Sequence, residues 1–175
     1  MTEIIAPDRM TERDVLDLLN LRYGKLAGNG ARYVGAEHVR SAAGFDALRT
    51  ADYIAMDLWP SKGLALHGHE VKVSRSDWLA ELKQPEKSAE FTPYMTFWWL
   101  VVSDRSVVRD GELPDGWGLL EPGYPDLRIV KPARKNPAPE PLPRTMLAAL
   151  LRATARTARA SEGRAIPEPT EGQNP

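Results

Sequence analysis

The spacing of hydrophobic positions changes several times along this chain, which predicts helices and strands in alternation. Apolar residues recur every three or four positions in some segments, as on one face of a helix, and form short runs in others, as in strands. Gly and Pro separate several of these segments. The pattern predicts helices over Thr11–Lys25 and after Ser74, and strands over Tyr33–Arg40, Tyr53–Trp59, Leu64–Ser74, Phe97–Val102, Trp117–Glu121 and Leu127–Lys131.

Two features of these segments indicate how they pack. Residues 60–63 (Pro-Ser-Lys-Gly) separate the second and third strands, which predicts a hairpin. Phe97–Val102 is apolar without alternation, as in a strand covered on both faces. The helix after Ser74 carries an apolar stripe of Trp78, Leu79 and Leu82. The order of elements predicts an α/β or α+β core, with a mixed central sheet flanked by helices.

The composition changes after residue 135, so residues 1–135 are predicted to form the domain. Residues 136–143 contain four prolines and predict a linker, residues 144–160 predict a basic helix, and residues 161–175 predict a disordered tail. Arg152, Arg156 and Arg159 recur along one stripe of this helix, opposite Leu147, Leu150 and Leu151. Such a stripe can follow a phosphate backbone, although a solvated charged face is the commoner explanation.

Composition narrows the classes of function. The chain has 175 residues, 42% of them hydrophobic, which suits one domain with one core. It has no cysteine, which excludes disulfides, thiol nucleophiles and cysteine-ligated zinc and suits a reducing compartment. No apolar run approaches the roughly 20 residues of a membrane span, so we expect a cytoplasmic protein without a membrane partner. The net charge of −1 requires any nucleic acid to bind a local basic patch.

The strongest candidate for a reaction centre is Glu70-Val71-Lys72. Alternate side chains of a strand share a face, so Glu70 and Lys72 point the same way while Val71 points to the opposite layer. A carboxylate can hold Mg²⁺ or Mn²⁺, and a neighbouring ammonium can orient or deprotonate a water and stabilise charge on a phosphate. The main-chain carbonyl of Val71 is a further candidate ligand.

A second carboxylate must lie near Glu70 to share the cation, and strand register favours Asp52 over Asp57. A four-residue turn would set Asp52 opposite Val71, and a shift of one residue sets it opposite Glu70 or Lys72. Asp57 falls roughly 10 to 17 Å away, at about 3.3 Å per residue, and has the wrong parity. The hypothesis therefore predicts a connection of three or five residues, or a bulge, between the strands.

The segments 49–55 (RTADYIA) and 69–78 (HEVKVSRSDW) resemble the MmcB-related DNA-repair proteins of the PD-(D/E)XK nuclease superfamily. The likeness extends over about residues 33–131 and includes the strand at 97–102. It implies a restriction-endonuclease-like core in which Asp52, Glu70 and Lys72 form a metal site. The superfamily's proline is Ala51 here. Many members have a further acidic residue upstream, for which Glu37 is a candidate; Ser74 is another additional site residue.

Two other residue types offer competing sites. His67 and His69 share a strand face and could bind zinc together with His38, but neutral, hydrogen-bonded histidines on a buried face are the commoner case. The five tryptophans could stack on bases, but their positions favour the core. Trp59, beside the hairpin turn, is the one expected to be exposed.

Two classes of function follow. The first is a Mg²⁺- or Mn²⁺-dependent nuclease-like protein that hydrolyses DNA in repair or processing, with no small-molecule cofactor. The second is a catalytically inactive DNA-binding or adaptor protein on the same fold. Double-strand cleavage would require two active centres, which leaves a homodimer open.

Overall fold

A computed structural model describes residues 9–24, 26–27, 30–43 and 49–163. Its helices are α1 (Glu12–Tyr23), α2 (Arg75–Leu82), α3 (Glu86–Ala89) and α4 (Arg144–Glu162). Its strands are β1 (Leu26–Ala27), β2 (Gly30–Ala31), β3 (Tyr33–Arg40), β4 (Thr50–Asp57), β5 (Leu66–Lys72), β6 (Phe97–Val102), β7 (Gly118–Pro122) and β8 (Leu127–Lys131). The helices and strands that the sequence predicts lie where it places them, with ends that differ by a few residues, whereas α3, β1 and β2 were not predicted.

Local sequence explains where the first two helices begin. The Thr11 hydroxyl accepts a hydrogen bond from the Asp14 N–H, and the Asp14 carboxylate accepts one from the Thr11 N–H, so each satisfies an orphan donor of α1. Ser74 caps α2 by accepting a hydrogen bond from the Asp77 N–H at 3.2 Å. Pro85 separates α2 from α3, as a residue that cannot continue a helix does.

The described strands form a two-stranded sheet, β1-β2, and a six-stranded mixed sheet in the order β3-β4-β5-β6-β7-β8. The strand pairs β3/β4, β4/β5 and β7/β8 are antiparallel, while β5/β6 and β6/β7 are parallel. The predicted β4/β5 hairpin is present, and α2 and α3 make the crossover from β5 to β6. This confirms an α+β fold with a mixed sheet flanked by helices.

Both faces of the sheet are covered, which explains the continuous apolar run of β6. Trp99 and Val101 pack toward α1, whose buried face includes Leu16 and Leu19. Trp98 packs with Phe91 and α4 on the other face, and Leu100 and Val102 pack there against Trp78 of α2. Trp59 is exposed, as predicted.

The buried face of α2 differs at one residue from the apolar stripe predicted for it. Trp78 is fully buried and Leu82 is partly buried, but Leu79 is 41% exposed. The buried position one turn after Trp78 is Glu81, a charged residue that the hydrophobic pattern assigns to the surface. Its partners, given below, explain why burial is tolerated.

Helix α4 belongs to the domain, which corrects the prediction of a separate basic helix after a linker. Met146 and Ala153 pack in the core cluster of β3 and β4, and Thr157 Oγ accepts a hydrogen bond from the Glu37 N–H at 2.9 Å. Its buried face is Met146, Ala149, Ala153 and Thr157, whereas Leu147 and Leu151, predicted to form the apolar stripe, are exposed.

The connection before α4 is also packed. Asn136 N–H donates to the Thr96 carbonyl at 2.8 Å, and Glu140 N–H donates to the Pro93 carbonyl at 2.9 Å. These bonds hold residues 136–143 against the domain, although this segment is neither helix nor strand. Helix α4 continues through Glu162, into the predicted tail, and residues 164–175 lie outside the described part of the chain. Among the described helices, none is long and apolar enough to cross a membrane.

Candidate active site

The register of β4 and β5 places Asp52 and Glu70 just beyond the last pair of the ladder. Tyr53 pairs with His69 and Ile54 with Gly68, so the next position along each strand is Asp52 on β4 and Glu70 on β5. This is one of the two registers that the hypothesis allows. The last backbone bond of the hairpin joins the Asp57 N–H to the Ala65 carbonyl, which leaves a seven-residue connection. The connection is longer than the predicted three or five residues but has the required odd length.

Strand alternation breaks where Asp52 lies. On β4, Ile54 and Ala51 join the same core cluster although they are three residues apart, and on β3 so do Ala36 and Val39. His38, which aligns with Asp52 between those residues, has a φ of +50°. Asp52 therefore lies outside the regular ladder, and its Oδ2 accepts a hydrogen bond from the Val71 N–H at 2.7 Å. Burial raises the pKa of Asp52, and this bond opposes the rise.

Glu70 and Lys72 are buried hydrogen-bond partners on the same face of β5. The Lys72 ammonium donates to Glu70 Oε1, and their side chains are 13% and 11% exposed. Burial, together with the neighbouring Asp52 charge, raises the pKa of Glu70 to about 8. Burial alone would lower the pKa of Lys72, but the Glu70 charge and hydrogen bond raise it above its ordinary value. Lys72 is therefore an ammonium at neutral pH.

Glu81 and Lys87 extend this cluster, and neither was predicted from the sequence. Glu81 Oε2 of α2 lies 3.2 Å from Lys72 Nζ and 3.3 Å from Lys87 Nζ of α3. The Glu81 side chain is 6% exposed. The detectable signal was a glutamate one turn after Trp78 on a helix that follows β5 directly. The direction in which the Glu81 side chain points depends on how α2 crosses the sheet, and the sequence pattern does not specify this.

These side chains line a cavity of about 390 Å³. Phe91, Trp98, Thr50 and Ser88 also line it. The charged residues that line it are three carboxylates and four cations: Asp52, Glu70, Glu81, Arg40, Arg49, Lys72 and Lys87. An anionic substrate that enters this cavity therefore meets positive charge beside the carboxylates.

The main chain of β5 directs the Val71 carbonyl toward β4, as a cation ligand would require. Ala65 O accepts from Asp57 N–H of β4, whereas Leu66 O and Lys72 O accept from Thr96 and Ser103 on the β6 side. Because main-chain groups of alternate strand residues point to opposite neighbours, the carbonyl of Val71 faces β4. Asp52, which binds the Val71 N–H, lies on that side.

The acidic residue from an earlier part of the chain that lies beside Asp52 is Glu12. Glu12, His38 and Asp52 each bring a ligand atom within 4.8 Å of the others. Glu37 aligns with Tyr53, one position away from Asp52, and its carboxylate accepts hydrogen bonds from Arg13 at 2.7 and 2.6 Å and from Asn20. The Glu37 carboxylate thus anchors α1 to β3, and Glu37 is not among the residues that line the cavity.

Two other carboxylate and hydroxyl candidates have structural roles. Ser74 caps α2, its Oγ also donates to the Asp77 carboxylate, and it is not among the residues that line the cavity. Asp57 accepts hydrogen bonds from Arg32 at 2.7 and 3.1 Å and from the Trp59 N–H. The choice of Asp52 over Asp57 is consistent with this placement.

The three histidines do not come together, and the alternative zinc site is not formed. His69 is fully buried; its Nδ1 donates to the Tyr53 carbonyl at 3.2 Å, and its Nε2 accepts from the Tyr23 hydroxyl at 2.9 Å. Burial lowers the pKa of His69 well below its ordinary value and that of His67 to about 4, so both are neutral at pH 7. His38 instead lies 4.0 Å from Glu12.

Of the three arginines predicted to form a stripe on α4, one is hydrogen-bonded to the sheet and two are exposed. Arg156 donates to the main-chain carbonyls of Glu37 and His38 at 2.9 and 3.1 Å, which ties α4 to β3. Arg152 and Arg159 are exposed. None of the three lines the cavity, so they do not extend this site.

The donor set fits a hard divalent cation. Asp52, Glu70 and Glu81 bring three carboxylates into the cavity that Lys72 lines, and burial, followed by the charge of Asp52, raises the pKa of Glu70. Mg²⁺ and Mn²⁺ prefer oxygen ligands of this kind. Asp52, Glu70 and the Val71 carbonyl are the groups that could hold such an ion.

The fold and the site together define a mixed α+β protein with a cavity that combines carboxylates with lysine and arginine. No protein-family model and no curated protein matches the chain. Among solved structures, it is similar to the SPO1766 protein of unknown function from Silicibacter pomeroyi, with a TM-score of 0.54 and 20% identity. The match covers 95% of this chain and 97% of that one. At this identity the likeness shows the fold alone.

Proposed function

We propose that this chain is a metal-dependent nuclease-like protein that hydrolyses DNA phosphodiester bonds, a member of the PD-(D/E)XK superfamily related to the MmcB group. The observation that carries the proposal is one charged cavity lined by Asp52, Glu70 and Lys72, with Asp52 and Glu70 just beyond the last pair of the β4/β5 ladder. DNA as partner, use in repair or processing, a cytoplasmic location and a homodimer for double-strand cleavage belong to the same proposal.

Each residue has a defined task in this reaction. Asp52, Glu70 and the Val71 carbonyl would hold Mg²⁺ or Mn²⁺, and a bound ion would neutralise phosphate charge and lower the pKa of a water. The water oxygen would attack phosphorus as the bond to the leaving oxygen breaks, and the proton that the water loses would reach the leaving oxygen through solvent, which gives a phosphate monoester and a hydroxyl. Lys72, which is protonated, orients the water and stabilises negative charge on the phosphate rather than accepting a proton.

Arg40 and Arg49 supply the substrate contacts. Both line the cavity near the ends of β3 and β4, where a phosphate can approach the carboxylates. Arginine suits this task because its planar guanidinium can donate two parallel hydrogen bonds to a phosphate. The neighbouring phosphates of a strand would thereby be fixed relative to the scissile bond.

The second candidate is a non-catalytic DNA-binding or adaptor protein. It is favoured by one observation: the Lys72 ammonium contacts the carboxylates of both Glu70 and Glu81. An internal cation that neutralises two carboxylates can substitute for a metal ion and keep the site folded without it. In that case the cavity arginines would still bind DNA.

Incubation with single-stranded, duplex and branched DNA in Mg²⁺ or Mn²⁺ tests the proposal. The unaltered protein should cut at least one form, and Asp52→Ala and Lys72→Ala should each lower the rate about 100-fold or more. Asp110→Ala and Lys62→Ala are matched controls on exposed residues outside the cavity and should cut normally. DNA binding with no cleavage by the unaltered protein would reject the nuclease and favour the adaptor.

A further inference from the structure

Glu81 is a buried carboxylate that the metal site as proposed does not use. It lies on α2, outside the β4/β5 pair, and its side chain is 6% exposed. Its Oε2 contacts the ammonium groups of Lys72 and Lys87 at 3.2 and 3.3 Å. Lys72 thus has two carboxylate partners, Glu70 on its own strand and Glu81 on the covering helix.

The second partner matters because the Glu70 carboxylate cannot contact Lys72 and a divalent cation equally well. A cation that binds Glu70 competes for the carboxyl oxygen that accepts the hydrogen bond from Lys72. Lys72 is only 13% exposed, and a buried ammonium without a partner is strongly unfavourable. If Glu70 were its one partner, binding the cation would require Lys72 to be left unpaired.

We propose that Glu81 is a positioning residue that holds Lys72 when Glu70 turns to a divalent cation. The exchange leaves every buried charge paired: the cation with Asp52 and Glu70, and Lys72 with Glu81. Lys87, whose side chain is 36% exposed at the cavity, supplies Glu81 with its second positive partner. This inference rests on the proposed function, since it assumes that Asp52 and Glu70 bind the cation.

The affinity for Mn²⁺, measured by electron paramagnetic resonance on the full chain without DNA, tests this role. Four proteins are compared: the unaltered protein, Glu81→Gln, Lys72→Met and the double variant. Glu81→Gln should weaken Mn²⁺ binding about tenfold, because the cation must then displace an ammonium that has no other carboxylate. Lys72→Met should bind Mn²⁺ as tightly as the unaltered protein or more tightly, since Glu70 is then released.

The double variant separates positioning from direct effects. If Glu81 acts through Lys72, adding Glu81→Gln to Lys72→Met should change the affinity by less than about twofold. A tenfold loss in that background would mean that Glu81 is itself a ligand or acts by charge alone, and would overturn the inference. An unchanged affinity in Glu81→Gln alone would also overturn it.

Two further measurements keep the result interpretable. Thermal unfolding establishes that each variant is folded; if Glu81→Gln does not fold, Glu81→Asp keeps the charge and withdraws it by one methylene. A loss of affinity in Glu81→Asp supports the contact, and normal affinity rejects it. Glu90→Gln, in a glutamate outside the cavity, is the matched control. If the unaltered protein binds no Mn²⁺, the proposed function fails and this inference fails with it.

Discussion

The raised pKa of Glu70 predicts that the metal-free protein loses stability as the pH rises. The unfolded chain releases the Glu70 proton near pH 4.5, whereas the folded protein retains it up to about pH 8. The stabilisation associated with the bound proton is therefore complete below pH 4.5 and is lost as the pH rises through 8. One proton changes the free energy of unfolding by about 1.4 kcal/mol per pH unit, so the interval allows a total of about 5 kcal/mol as an upper limit.

Glu70→Gln isolates this contribution because glutamine has nearly the same shape and does not titrate. Urea unfolding of both proteins in EDTA at pH 5, 6, 7 and 8 gives the difference in their free energies of unfolding. As the pH rises, the free energy of unfolding of Glu70→Gln should increase relative to that of the unaltered protein by up to about 1.4 kcal/mol per pH unit. His67 and His69 act in the opposite sense below about pH 6.5 because they are buried in the neutral form, but they are present in both proteins and cancel.

A bound cation should remove the effect. Mn²⁺ keeps Glu70 ionised, so the pH dependence of the unaltered protein should flatten at saturating Mn²⁺, while Glu70→Gln should not respond. A difference between the two proteins that stays constant within about 0.5 kcal/mol from pH 5 to 8 would refute the reasoning. It would mean that Lys72 compensates the buried carboxylate completely.

Two further predictions concern packing around the site. Arg156→Gln should lower the free energy of unfolding, measured by urea unfolding, by about 1 to 3 kcal/mol, because it removes two charge-assisted hydrogen bonds to β3 carbonyls. Arg152→Gln and Arg159→Gln should change it by less than about 0.5 kcal/mol. Equal effects of all three would contradict the distinction between Arg156 and the two exposed arginines. Gly68→Ala would place a Cβ 2.2 Å from the Trp98 ring, so we expect a loss of about 1 to 3 kcal/mol or more with altered tryptophan fluorescence, and neutral behaviour would show that the ring can move.

Much of this site follows from short-range rules. The parity of a strand places Glu70 and Lys72 together, and the short separation between β4 and β5 restricts which aspartate can reach them. Both conclusions need only the sequence, because neighbours within a strand or across a hairpin are fixed by local geometry. The capped starts of α1 and α2 are local in the same sense.

Tertiary packing decided the rest. Glu81 is buried beside Lys72 because α2 crosses that face of the sheet, and Glu12 rather than Glu37 lies near Asp52 because of how α1 lies across β3. The small side chains of α4 let it pack on β3, although its sequence indicates a separate basic helix. Such contacts join residues far apart in the chain, and the hydrophobic pattern specifies which face is buried but not which neighbour covers it. The sequence predicted Asp52, Glu70 and Lys72 as one set of residues. The tertiary structure placed Glu81 and Lys87 beside them.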